Sequence, residues 1–277
     1  MSKVAAIQMA SGPNIQANLD QAKRLIEDAV KQGAGLIVLP ENFALMAMSE
    51  PERVKHAEPE GKGAIQKFLS TQAKKHSVWL LGGTIPLQAS DSKKSLAASL
   101  LFNDKGEQVA HYDKIHMFDV LIKDSGEKYN ESQTTEAGEK IIVVDSPFGK
   151  IGLAVCYDLR FPELFRNLAD QGMDICVLPS AFTAITGKAH WEPLLRARAI
   201  ENQCYLIAAA QGGFHINGRE THGNSMIVDP WGTVLNRIQS GNGVVVAEID
   251  LNFLRKTRKN FPVLKHRRIN CVIGEAV

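Results

Sequence analysis

Two stretches of this chain, GAGLIVLPENF at 33–43 and GMDICVLPSAF at 172–182, share their first glycine, their Val-Leu-Pro and their closing Phe. The segments around them follow one order, so the chain is expected to fold as two similar halves. In the first half an apolar strand at 4–9 leads to a helix at 18–32, whose Leu19, Ala22, Leu25, Ile26, Ala29 and Val30 recur at helical spacing. A strand at 36–39, a helix near 63–75 and a strand at 78–84 come next. A hairpin closes the set, with arms at 95–102 and 108–112 joined by Asn-Asp-Lys-Gly. The second half repeats strand (151–155), helix (163–171), the second Val-Leu-Pro strand, helix (190–202), strand (204–210) and a hairpin at 225–228 and 233–238. A turn at 240–243 precedes a last strand at 244–249.

Apolar strands that alternate with helices call for right-handed crossovers and for helices that cover the sheet. Two halves, each a sheet with helices on one side, bury their bare sheet faces against each other. The expected fold is therefore α/β, a four-layer α-β-β-α sandwich. No Pro/Gly/Ser-rich linker separates the halves, so 1–277 reads as a single domain. The segment from about 251 is basic and apolar and has no place in the repeat. It is expected to reach across to another subunit in a homodimer or larger homo-oligomer.

Composition narrows the partners. A net charge of +2 leaves no electrostatic footprint for nucleic acid, and the basic clusters at 255–259 and 265–268 read as a solvated face or a tail at an interface. No apolar run approaches the ~18 residues that span a bilayer, and Met1 runs into a strand with no cleavable apolar leader before it. Cys156, Cys176, Cys204 and Cys271 form no C-x-x-C pair, as expected in a reducing, cytoplasmic setting.

Chemistry concentrates at IGLAVCYDLRFPELF (151–165). An apolar strand ends at Cys156, and Pro162 and Glu163 suit the first turn of a following helix. A thiol at that junction is either a nucleophile awaiting a base or a small core residue. Glu41, directly after the first Val-Leu-Pro, is the candidate base, or else a capping or ion-paired carboxylate. Lys114, in HYDKIHMFD, is either plain surface or a buried cation aimed at a developing oxyanion. His116 and Asp119 do not make a metal site by spacing, and His111, His190, His215 and His222 read as structural or substrate-contacting. Arg160, four residues past Cys156, can grip a carboxylate through two parallel hydrogen bonds or pair with Glu163 or Asp158. Ser180, Phe182, Thr183 and Thr186 follow the second Val-Leu-Pro and are expected to line the same pocket.

LPENF, YDKIHMFD and GLAVCYDLRFPELF, in this order, resemble the nitrilase (carbon–nitrogen hydrolase) superfamily over nearly the whole chain. Within it, CYDLRFPELF, AITGKAHWEPLLRARAIENQCY, VDPWG and PVLKHRR are similar to the Nit branch. The resemblance implies the α-β-β-α fold and a Glu-Lys-Cys triad at Glu41, Lys114 and Cys156. It also implies a second glutamate after the lysine, best matched by Glu131, with Glu127 competing. It implies hydrolysis of a C–N amide bond through a thioester, with the backbone N–H of Tyr157 beside Lys114 at the oxyanion and with no metal or organic cofactor. RARAIENQCY and AAAQGG are more similar to branch members that act on deaminated glutathione than to ω-amidases that act on 2-oxoglutaramate. The implied substrate is thus a small acidic amide, with the ω-amidase reaction as the alternative.

Overall fold

The structure, a computed structural model, describes residues 1–122 and 126–269. Two sheets stack face to face. In the first the strands run Gly243–Ile249, Ser2–Gln8, Leu36–Val38, Trp79–Leu81, Ser95–Phe102 and Ile85–Gln88, with Gln108–Asp113 and Thr135–Glu136 also paired to Ser95–Phe102. In the second they run Val143–Ser146, Gly149–Leu153, Ile175–Ser180, Tyr205–Ala210, Ser225–Val228 and Val234–Ile238. The inner strands of both sheets pair in parallel, as their continuous apolar runs require. Both faces of these strands are buried. Val4, Ala6, Leu36 and Val38 pack toward Leu153, Val177 and Ile207 of the other sheet, while Ala5, Ile7, Ile37 and Leu39 pack under the helices Ile15–Lys31 and Ala64–His76. Helices Pro162–Asp170 and Ala184–Asn202 cover the second sheet through Leu164, Phe165, Leu168, Trp191, Leu195 and Ala199. The result is the α-β-β-α sandwich.

The repeat is visible in three dimensions. Gly33 and Gly172 each follow a helix with φ near +87° (86° and 87°), a left-handed turn that favours glycine. Each then enters a strand parallel to the first of its half. The halves exchange one element, because Gly243–Ile249 leaves the second half and pairs antiparallel with Ser2–Gln8 of the first sheet.

Three sequence expectations change. The helix read as 190–202 begins at Ala184, with the Thr183 hydroxyl capping the Thr186 amide. It runs through Pro193, a residue that sequence reasoning places in a first turn. The first helix starts earlier too, at Ile15, because the Asn14 side chain accepts from the Ala17 amide at 2.9 Å. The segment from 251 also finds partners on its own chain. Leu251–Asn260 is a helix with Leu254 and Thr257 buried, and Arg258 donates to Asp174 at 2.8 Å and to the Met173 carbonyl at 2.6 Å. Arg267 pairs with Asp170. Cys271 lies outside the described residues.

Gly83 sits beneath the turn that presents Glu41, with φ +55°. A Cβ there would lie 1.9 Å from the Pro40 carbonyl oxygen, and backbone cannot step aside as a side chain could. Gly83→Ala is expected to destabilise by about 2 kcal/mol or more, read as a lower thermal midpoint and lower activity together.

Candidate active site

The candidate nucleophile sits where a rigid strand gives way to a tight turn. Gly149–Leu153 ends, Val155 stays extended, and Cys156 opens a 3-10 turn, Cys156–Arg160, before the helix that starts at Pro162. Cys156 has φ +45°, an unfavourable value for a residue with a Cβ. Such strain persists only where the surroundings over-determine it. Here the buried Asp158 carboxylate supplies that constraint. It accepts from the Val155 amide at 2.8 Å, the Tyr112 hydroxyl at 2.7 Å and the His116 amide at 3.1 Å, with His116 Nδ1 also at 2.7 Å. His116 stacks flat on Phe161, with ring centroids 3.6 Å apart. His116 and Asp158 therefore brace the turn.

Glu41 arrives from the first half. Leu36–Val38 stops before Pro40, and Asn42 turns at φ +56° with its amide on the Thr84 hydroxyl at 2.9 Å. Gln211, from the end of a second-sheet strand, donates to the Glu41 carbonyl at 3.0 Å and ties the two halves at this point. The Cys156 thiol lines the same cavity as the Glu41 carboxylate, whose charge acts on it. Lys114, 2% exposed, donates to Glu41 at 3.0 Å and to both Glu131 oxygens at 2.9 and 2.7 Å. The Phe118 amide also donates to Glu131, at 2.7 Å. Glu131, not Glu127, is thus the glutamate that meets Lys114. Glu127 lies on the strand Glu127–Asn130, where it accepts from the Tyr129 hydroxyl at 3.1 Å.

Burial and charge work against each other here. Burial opposes the Lys114 charge, yet the Glu131 and Glu41 carboxylates outweigh it and hold the ammonium above the ordinary lysine range. Burial would raise the Glu131 carboxyl, but Lys114 and then Arg53 hold it below the usual carboxylate value. Burial and the neighbouring Glu41 charge push the Cys156 thiol well up, so the resting group is a neutral thiol that needs a base in contact. Glu131 brings a pH dependence of known sign. A carboxylate whose folded pKa is depressed contributes stability that is complete above the unfolded value of about 4.3 and is lost as pH falls through the folded one. The thermal midpoint is expected to drop below about pH 4, more shallowly in Glu131→Gln than in wild type; equal slopes by calorimetry would count against this.

A cavity of about 110 Å³ opens over Cys156, Glu41 and Lys114. Tyr157, Arg160, Phe182, Thr183, Thr186 and Glu131 line it. Ser180, expected there, does not. Pro40 ends its strand, but Pro179 and Ser180 continue theirs in register with Ala209 and Ala210, so Ser180 stays fully buried. Thr183 and Thr186 hydroxyls lie 2.8 Å apart and bond each other. The Arg160 guanidinium stacks over Phe182 and Tyr157 at 5.0 and 5.8 Å and lies 3.1 Å from His190 Nδ1. Neither Asp158 nor Glu163 pairs with it.

Sequence reasoning missed Arg53, Tyr129 and Arg219, which also line the cavity. Arg53 is buried, pairs with Glu50 and approaches Glu131 at 4.0 Å. Arg53 comes from a short helix, Glu50–Lys55, Tyr129 from the strand Glu127–Asn130 and Arg219 from a hairpin loop, and they carry no local motif. Only an unexpectedly buried arginine could have marked them.

A thiol, a carboxylate and an ammonium meeting at the joint of two stacked α/β halves define a hydrolase of the amide-cleaving kind. A carbon–nitrogen hydrolase family model matches residues 3–259, and the chain belongs to that family. It is an amidase. A deaminated glutathione amidase of Synechocystis sp. is 46% identical over 266 residues, covering 95% of this chain and 97% of the relative. The human deaminated glutathione amidase is 44% identical over 268 residues, covering 96% and 82%. Among solved structures, Saccharomyces cerevisiae Nit3, a member of branch 10 of the nitrilase superfamily, superposes with a TM-score of 0.86 at 33% identity and 97% coverage of both chains.

Proposed function

We propose that this amidase hydrolyses small acidic amides through a Cys156 thioester, with deaminated glutathione as the principal substrate, giving 2-oxoglutarate and cysteinylglycine. Glu41 takes the thiol proton as the sulfur attacks the amide carbonyl. Lys114 and the Tyr157 backbone N–H stabilise the oxyanion. Glu41 then protonates the departing amine as the C–N bond breaks. Water gives its proton to Glu41, attacks the thioester and releases the acid, and the sulfur regains its proton. Glu131 holds Lys114 in place. In support of this sequence, Lys114 contacts both Glu41 and Glu131, and Cys156 and Tyr157 line the same cavity.

The observation that carries the acidic substrate is Arg160. Its guanidinium lines the cavity beside Cys156, and among the described residues no carboxylate is within ion-pair distance of it. An arginine in that state awaits an anionic ligand. The relatives named deaminated glutathione amidase support the choice among acids. No helix among the described residues is long and apolar enough to cross a membrane, and Cys156, Cys176 and Cys204 are free thiols. Both fit the further reading of a cytoplasmic enzyme.

A panel of amide, carbamoyl and nitrile substrates, with ammonia and amine release both measured, tests the assignment. Deaminated glutathione is expected to show the highest kcat/KM. Faster release of ammonia from 2-oxoglutaramate would hand the assignment to ω-amidase chemistry. Arg160→Lys is expected to raise KM about tenfold for both substrates, because a point charge cannot replace the planar fork; an unchanged KM would remove the clamp.

A further inference from the structure

Among the described residues, five cationic side chains line the cavity against three carboxylates, an excess of two. Lys114 is taken up by Glu41 and Glu131, and Arg53 by Glu50 and Glu131. Lys128 stands on the exposed hairpin edge. Arg160 and Arg219 remain, each without a carboxylate within ion-pair distance among the described residues.

These two guanidiniums stand at opposite ends of one aromatic wall. Arg160 lies over Tyr157 at 5.8 Å, Tyr157 meets Phe118 at 5.0 Å, Phe118 meets Tyr129 at 5.0 Å, and Arg219 lies over Tyr129 at 5.2 Å. Tyr157 directly follows Cys156, so Arg160 marks the end nearer the thiol and Arg219 the far end. The Arg219 Nε is buried and has no hydrogen-bond partner. Beyond Arg219 the space continues into a second cavity of about 220 Å³, which shares Glu50, Arg53, Tyr129 and Arg219 with the first. The loop that carries Arg219 is pinned. Asn217 donates to the Ala47 carbonyl at 2.8 Å and accepts from the Arg219 amide at 3.1 Å, and His215 Nδ1 lies 2.8 Å from the Ser11 carbonyl oxygen.

We infer that Arg219 is a specificity-determining residue that binds a carboxylate carried by the leaving amine. This deepens the function proposed above and rests on its assignment of Arg160 to the acyl side. A substrate with one carboxylate near the scissile carbonyl and a second on the amine fragment would match both arginines, and the adjoining cavity gives the amine fragment room. A primary amide, which releases ammonia, has nothing to offer Arg219. The pocket thereby gains its preference for a peptide-like leaving group over ammonia.

Three substrates test the inference on wild type and Arg219→Gln: deaminated glutathione, the same molecule with its glycine carboxylate converted to a primary amide, and 2-oxoglutaramate. In Arg219→Gln the ratio of kcat/KM for deaminated glutathione to that for 2-oxoglutaramate is expected to fall at least about tenfold, the scale of a lost charge-assisted hydrogen bond, and the loss should lie in KM. In wild type, amidating the glycine carboxylate should cost a similar factor, and the two losses should not add. Arg219→Lys should recover part of the ratio. Equal proportional losses on all three substrates would show that Arg219 only supports the loop and would overturn the inference. So would a wild type indifferent to amidation. A wild type that favours 2-oxoglutaramate, yet shows the amidation and Arg219→Gln losses together, would sink deaminated glutathione as principal substrate and leave the inference standing.

Discussion

Cys156→Ala is expected to lower amide hydrolysis by at least about ten-thousandfold, the scale on which an essential nucleophile is lost, while the thermal midpoint stays close to wild type. The thiol faces the cavity beside Glu41 and is held by the turn, and the turn depends on Asp158, which the substitution leaves intact. Cys156→Ser should be nearly as inactive. A hydroxyl is far harder to deprotonate than a thiol, and burial beside Glu41 already pushes the Cys156 thiol up. Cys176→Ala and Cys204→Ala serve as controls. Both sit in the apolar core, and burial pushes Cys204 up to about 12, so neither supplies a thiolate. Turnover surviving in Cys156→Ala, or lost in either control at unchanged stability, would move the nucleophile elsewhere. Intact-mass detection of an acyl adduct on wild type, absent from Cys156→Ala, would give the covalent step directly.

Lys114→Met should have the second large effect, and it should be double. Activity is expected to fall by about a hundred- to a thousandfold, the range for removing an oxyanion donor. Stability should fall by about 3–5 kcal/mol, because the change leaves Glu41 and Glu131 buried with no cation between them. The two effects separate in a second variant. Lys114→Met with Glu131→Gln removes one of the stranded charges, so the midpoint measured by denaturant melts should recover in part, while kcat stays low. If the double variant regained activity together with stability, Lys114 would be structural and the oxyanion would be held by backbone alone. Glu41→Gln should also lower kcat by about a hundredfold or more, as a lost general base does.

Much of this protein was legible along the chain because its determinants are local. Runs such as Leu36-Ile37-Val38 and Ile151–Leu153 carry no polar alternation, and that is the mark of strands buried on both faces. The repeated Gly and Val-Leu-Pro therefore implied two sheets stacked under helices. The pairing of Glu41, Lys114 and Cys156 was legible through motif resemblance, each at the end of a strand or just past one. Helix limits were less legible. Asn14 and Thr183 are caps whose effect depends on a single side-chain hydrogen bond, and the helix read from 190 begins at Ala184 and carries on through Pro193.

The tertiary structure alone decided what depends on atoms distant in sequence. Glu131 rather than Glu127 meets Lys114, because only Glu131 is brought within 2.7 Å of its ammonium. Ser180 is withdrawn from the cavity because its strand keeps its hydrogen-bonded register past Pro179, whereas the equivalent strand ends before Pro40. The segment from 251 docks on its own chain through Arg258 and Leu254, a partnership no periodicity could announce. Arg53 reaches the cavity from a short helix in the first half and Arg219 from a loop in the second, and their unremarkable sequence neighbours say nothing about the charges they face. Periodicity and turn chemistry are written in neighbouring residues, so the sequence carries them. Which charge is left unpaired in a buried cavity depends on the whole set of side chains gathered there, and only the folded chain assembles that set.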